Sequence, residues 1–272
     1  MTNSNANRAV KDPFASSGKK FASVIIVILI ILAGALFAFT KLAPTKMDNI
    51  FNGYENEPVN MSLSYEDGVA TLKNNPNENA KTINLYEDFS CKYCAALAES
   101  SDAELKKAIE SGDIILNVHT LNFLDRGEKG YSTKAFSVAR AIAEDEDAAQ
   151  YWNFRNFLYT SFEYTQGLIG NDDDFESRLV SDLDIDQKYV DAAGDDELVD
   201  AANSDASKNI KSLEDLSGKV SSPRVFWDDE EIDVQDPSWV EMVVSAPGST
   251  LAESKGMTQE ELEDSKSSDS EN

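Results

Sequence analysis

The stretch from Lys81 to Leu124 constrains the fold more than any other. KTINLYEDF (81–89) is a β-branched and aromatic run that ends just before two cysteines. CAALAESSDAELKKAIESG (94–112) has the apolar spacing of a helix that stops at Gly112, and DIILNVHTLNFL (113–124) reads as a second, buried strand. Strand, helix and strand in so short a span make a βαβ unit, so the two strands should lie parallel with a right-handed crossover.

Other elements build around that unit. NMSLSYEDGVATLKN (60–74) alternates about a Glu-Asp-Gly turn, predicting a hairpin with strands near 60–65 and 69–73. Residues 131 to about 217 contain no strand-like run. They read as helices: YSTKAFSVARAIAED with Ser132 as its N-cap, AAQYWNFRNFLYTSFEY, a short segment around 173–182, DQKYVDAAG, and a final helix over about 196–217. Tyr151, Phe154, Leu158 and Phe162 recur at helical spacing and are expected in the core of this block. Strands return at PRVFWDD and EIDVQ, and DPSWVEMVVSA closes with an Asp-capped helix. Neither group of strands suffices for a sheet of its own. The expectation is one α/β domain over residues 59–247 whose sheet is interrupted by a helical insertion.

Outside that domain the chain changes character. FASVIIVILIILAGALFAF (21–39) carries no charge and, as a helix, would span ~28 Å, about the thickness of a bilayer core. A transmembrane anchor over 21–40 is therefore expected, with residues 41–58 as a stalk and everything from Gly248 on as a disordered acidic tail. A cleaved signal peptide, with small residues at Ala35, Ala38 and Ala43, is the alternative; the apolar run is longer than a secretory core requires. Arg8, Lys11, Lys19 and Lys20 precede the run, which places the head (1–20) in the cytoplasm and the domain outside. With 50 acidic against 24 basic residues the net charge is −26, which argues against a nucleic-acid partner.

Cys91 and Cys94 are the only cysteines and His119 the only histidine. A structural zinc site needs four ligands, so this pair cannot complete one. A bridge closing so small a loop removes little chain entropy, and as a passive staple it would contribute almost nothing. At a strand-to-helix junction, by contrast, the first cysteine meets unpaired backbone N–H groups and the positive end of the helix dipole, which favour its thiolate. Cys91 is then the attacking sulfur and Cys94 its resolving partner, with a passive role left as the second reading. The acidic runs 172–174 and 182–186 lack the Gly and Glu of a calcium loop at the required positions (Gln187 and Ala193, or Ser177 and Leu183) and read as caps and solvated faces. No metal or organic cofactor is expected, and His119 is read as a hydrogen-bonded structural residue.

YEDFSCKYC, LNFLDRGEKGYSTKAFSVARA, YWNFRNFLY and VSSPRVFWDD, in that order, resemble the DsbA-like thiol-disulfide oxidoreductases, in particular the membrane-anchored actinobacterial type. The resemblance implies a thioredoxin fold with a helical insertion and an extracytoplasmic enzyme that introduces disulfides into secreted proteins. It also implies a quinone-linked membrane partner that reoxidises the enzyme. By position it assigns Cys91 as nucleophile, Cys94 as resolving cysteine, and Ser222-Pro223 as a cis-proline loop that holds substrate. Asp88 falls in the family's acidic position and is expected near Cys94, with proton relay as its candidate role. Lys92 and Tyr93 stand between the cysteines where many relatives have Pro first and strongly oxidising ones often have His second; that dipeptide tunes thiolate stability. Arg224 would put a cation beside the substrate groove. A reductase or isomerase of the same fold, or a binding module without activity, are the rival classes.

Overall fold

Alternating apolar residues build the sheet, and the computed structural model, which describes residues 46–256, sets its strands among helices. In chain order the elements are α1 (Lys46–Phe51), β1 (Ser62–Glu66), β2 (Val69–Lys73), β3 (Lys81–Asp88), α2 (Lys92–Glu110), β4 (Ile114–Leu121), α3 (Tyr131–Glu144), α4 (Ala148–Thr160), α5 (Phe162–Thr165), α6 (Asp173–Leu183), α7 (Gln187–Val190), α8 (Asp196–Ser217), β5 (Arg224–Trp227), β6 (Glu230–Glu231), α9 (Trp239–Ser245) and α10 (Leu251–Lys255). Short 3-10 turns at Phe123–Asp125 and Asp191–Ala193 fill two connections.

The strands form one sheet in the order β1-β2-β4-β3-β5-β6. Only β3 and β4 are parallel, in register from Lys81 opposite Ile114 to Asp88 opposite Leu121, as the βαβ reading requires. The other pairs are antiparallel. Side chains alternate between faces. On one, Leu72, Ile83 and Leu116 are fully buried beside Leu85, Val118 and Val225. On the other, Tyr86, Leu121 and Phe226 meet Leu213 of α8. Every residue between β4 and β5 is helix or connection, so the sheet is interrupted by a helical insertion of thioredoxin-like pattern. Its core holds Tyr151, Phe154 and Leu158 together with Trp152, Phe157, Phe175 and Leu179, whereas Phe162 is only half-buried.

Several expectations need correcting. EIDVQ (231–235) is not a strand: only its first residue, Glu231, pairs, in the two-residue β6 with Glu230, and the chain leaves the sheet edge after it. The cap of α9 is Ser238, with Asp236 bonding the Ser238 amide and hydroxyl in the turn before it. The tail is not disordered from Gly248: Thr250 and Glu253 form a capping box on α10, and Leu251 and Ala252 are buried. The stalk also packs along part of its length. Phe51 stacks on Phe157 at 4.9 Å, and Tyr54 meets the same ring edge-on while its hydroxyl donates to the Asn153 carbonyl at 2.9 Å. In both segments a few apolar side chains in a polar sequence find a groove that composition does not reveal. The described residues from Ile50 to Gly256 belong to one compact unit; Lys46–Asn49 belong to another, described only as the start of α1. Among the described residues no helix is long and apolar enough to cross a membrane, and the expected head and anchor lie outside them.

Candidate active site

β3 ends at Asp88, and the chain turns through Phe89 and Ser90 before Cys91 starts α2. The Cys91 amide donates to the Asp88 carbonyl at 2.9 Å, closing the turn. Cys91 is the N-cap residue, extended at φ −91° and ψ 112°, so its carbonyl accepts from the amides of Cys94 (3.0 Å) and Ala95 (3.2 Å). A cap residue's side chain lies over the unpaired amides of the first turn. Both cysteines are free thiols. The Cys91 thiol is lowered to about 6, chiefly because Cys94 donates to it; burial opposes this, while Ser222 and the amides of Cys94 and Tyr93 add to it. Burial pushes Cys94 well above its ordinary range, and the hydrogen bond to Cys91 and the charges of Cys91 and Glu87 push it further. One sulfur is therefore prepared to be a thiolate and its neighbour to remain a thiol.

The Ser222–Pro223 peptide bond is cis, and this loop lies against the cysteine: the Cys91 thiol donates to the Ser222 carbonyl at 3.3 Å. The Ser222 hydroxyl is buried and has no hydrogen-bond partner among the described residues. It lowers the Cys91 thiol. A groove of about 330 Å³ runs beside the pair, with Tyr93, Leu97 and Ser100 on one wall and Pro223, Val234 and Gln235 on the other. Tyr93 is 64% exposed on its rim, and the exposed Lys92 ammonium lies 4.9 Å from the Tyr93 ring centroid rather than among the groups that stabilise Cys91. Arg224 does not face the groove. It is buried, pairs with Glu231, donates to the Ser217 hydroxyl at 3.0 Å and the Lys219 carbonyl at 3.4 Å, and so ties the loop's two ends together.

The two acids of β3 point to opposite faces. Asp88 is completely buried, with its carboxylate turned toward the insertion rather than toward Cys94. It accepts from the Ser132 hydroxyl at 2.5 Å, the Ser90 amide at 2.8 Å and the Leu124 amide at 3.2 Å. Burial nevertheless raises it to about 6. Ser132 is thus not the N-cap of α3; that residue is Gly130, and Asp125 takes up the amides of Gly130, Ser132 and Thr133. Glu87 is the acid whose charge reaches Cys94. Arg155 of α4 holds it through two bonds of 2.7 Å and holds Asp102 of α2 at 2.6 Å, all three side chains being buried. Burial alone would pull the guanidinium down, but Asp102 and Glu87 keep it charged; burial likewise pushes Glu87 up against the pull of Arg155. Sequence reading passed over this triad, although an Arg within the aromatic run YWNFRNFLY needs a buried partner and so was a readable signal. His119 sits apart, stacked on Tyr86 at 4.3 Å and bonded through Nε2 to Asn84 at 3.1 Å, with burial lowering it to about 4.

Comparison with known proteins agrees with this geometry. The thioredoxin family pattern matches residues 77–246. The structure is similar to that of MdbA, a thiol-disulfide oxidoreductase from Corynebacterium diphtheriae, with 38% identity and a TM-score of 0.65 over 70% of this chain and 96% of the other. Similarity to MdbA from Corynebacterium matruchotii is nearly the same: 36% identity and a TM-score of 0.63, over 71% of this chain and 97% of that one. Among curated sequences, the serine/threonine-protein kinase PknE of Mycobacterium tuberculosis is 24% identical over 169 residues; the match spans 60% of this chain but only 29% of that protein's length. The chain therefore belongs to the thioredoxin family, among the DsbA-like thiol-disulfide oxidoreductases typified by the corynebacterial MdbA proteins.

Proposed function

We propose that the protein introduces disulfides into secreted proteins by exchange at Cys91 and Cys94, on the extracytoplasmic side of a membrane to which residues 21–40 anchor it. One observation carries the chemical reading: Cys91 caps α2 with Cys94 one turn further on and the cis Ser222–Pro223 loop against its sulfur, an arrangement that lowers the Cys91 thiol to about 6 and raises Cys94 well above its usual range. In the oxidised enzyme the two sulfurs are bonded. A substrate thiolate attacks Cys91; the sulfur–sulfur bond breaks, and Cys94 leaves with the electron pair and takes up a proton, as its raised affinity favours. A second substrate thiolate then attacks the substrate sulfur of the mixed disulfide. Cys91 departs as a thiolate, the substrate has lost two electrons, and the enzyme has gained them.

The direction follows from the leaving group. A thiolate stabilised in the reduced protein makes the disulfide a stronger oxidant. At pH 7, one unit above the Cys91 value, ionisation stabilises the reduced form by about 1.4 kcal/mol, on the order of 30 mV in a two-electron couple. Reoxidation then requires an acceptor of electrons, for which a quinone-linked membrane protein is the proposed partner. Pro223 and the groove beside it are the proposed seat of an extended substrate segment, and Asp88 is assigned no proton-relay role because its carboxylate is taken up by Ser132 and by the Ser90 and Leu124 amides, only its backbone reaching Cys94.

Two measurements test this. Cells carrying Cys94→Ala should accumulate mixed disulfides between Cys91 and secreted proteins, and the purified oxidised protein should oxidise a reduced two-cysteine substrate with loss of its own disulfide. A reduction potential close to the roughly −270 mV of a reducing thioredoxin would instead favour the reductase reading. For the anchor, fractionation of cells expressing the chain with and without residues 21–40 should move the protein from the membrane to the soluble fraction.

A further inference from the structure

The turn that delivers Cys91 is gripped from outside the sheet. Ser132 of α3 is fully buried, and its hydroxyl lies 2.5 Å from Asp88 and 2.7 Å from the Ser90 hydroxyl. A hydroxyl has one proton, so Ser132 shares it between two acceptors, the Asp88 carboxylate and the Ser90 hydroxyl oxygen, and holds both residues of the turn from one point. Ser132 is free to do so because Asp125 has already taken its amide. On the other side, the Gln166 amide Nε2, just past α5, donates to the Phe89 carbonyl at 3.1 Å. The Phe89 ring is pinned as well, stacked on Tyr159 at 5.5 Å and edge-on to Phe154. All three turn residues are thus held by the helical insertion.

We infer that Ser132 and Gln166 are positioning residues for Cys91: by gripping the Asp88–Ser90 turn they keep the sulfur over the first-turn amides of α2, so the insertion sets how readily the nucleophile ionises. The inference rests on Cys91 being the nucleophile proposed above. Neither side chain has a hydrogen bond to either cysteine among the described residues. Their influence runs through the backbone, whose extended conformation at Cys91 makes the cap possible.

The test is the pH dependence of iodoacetamide alkylation at Cys91 in the reduced full chain, with the modified residue located by mass spectrometry. The titratable groups around the turn are Glu87 and Asp88 on β3, Lys92, Tyr93 and Cys94 on α2, Asp125 before α3, and Tyr159 on α4. Gln166 touches only a carbonyl, so its variant does not disturb Asp88 directly. In Ser132→Ala/Gln166→Leu the inflection should rise by about one unit from about 6, a roughly fivefold slower reaction at pH 6 with the rate at high pH unchanged. Ser132→Thr, which keeps the hydroxyl, should restore the wild-type profile. Gln150→Ala, in the same insertion but bonded to Asp147 and Asp186 rather than to the turn, should leave it unmoved. If the double variant does not fold, Gln166→Leu alone carries the test by the same criterion. An inflection that stays put in a folded variant, or that moves equally in Gln150→Ala, overturns the inference alone. A wild-type inflection near the ordinary 8.5 overturns it together with the functional reading beneath it.

Discussion

At the scale of single residues, the reactivity of Cys91 is a sum of small donations. Ser222→Ala removes a hydroxyl whose effect is to lower the Cys91 value. The expected outcome is a rise of about one unit in the thiolate titration followed by ultraviolet absorbance, with native structure retained. Because the Cys91 value is depressed when folded, its stabilisation of the reduced protein is present above 9.0 and is lost as pH falls toward 6; Ser222→Ala should narrow that window from its lower end. Asp88 has the opposite sign. Its folded value of about 6 exceeds the ordinary 3.8, so the folded state holds the proton more tightly and stability falls as pH rises through that interval. Asp88→Asn abolishes the titration. Urea unfolding from pH 4 to 6 should therefore differ between the two proteins by a contribution on the order of 2–3 kcal/mol that declines with pH in the wild type and is missing from the variant.

Among the elements, Arg155 joins three: its own α4, β3 through Glu87, and α2 through Asp102. This bridge couples the insertion to the sheet directly behind the cysteines. Removing one partner of a buried ion pair strands the others. Arg155→Met should cost about 3–5 kcal/mol in urea unfolding at neutral pH, and less in acid, where Glu87 takes up a proton readily. The reduced variant should also show Cys94 still harder to ionise, since Glu87 would face it without a counter-charge. The β5 element illustrates a different coupling: Arg224 begins the strand beside Pro223 and closes the loop that presents Ser222 to Cys91.

Viewed whole, the molecule carries a net charge of −26, which acts on encounter rather than on chemistry. Exposed charges are screened over about 10 Å at 0.1 M salt. A cationic unfolded substrate should be oxidised faster as salt is lowered and an anionic one slower, with the two rates converging at high salt in stopped-flow measurements. Equal salt dependence for both would mean that the acidic surface lies too far from the groove to steer.

What the sequence settled alone are properties carried by local spacing. The βαβ unit, the hairpin, the long helices from 92 and 196, and the cysteine pair at a helix start were legible because period, caps and turn residues lie within a few positions of one another. Tertiary structure decided whatever depends on residues distant along the chain meeting. It joined Glu87 to Arg155 and Asp102, took Ser132 from its expected capping role to hold Asp88, turned Arg224 away from the groove, and packed Phe51 and Leu251 where composition suggested loose chain. Each of these outcomes depends on burial, and burial is a property of the assembled core rather than of any short stretch of sequence.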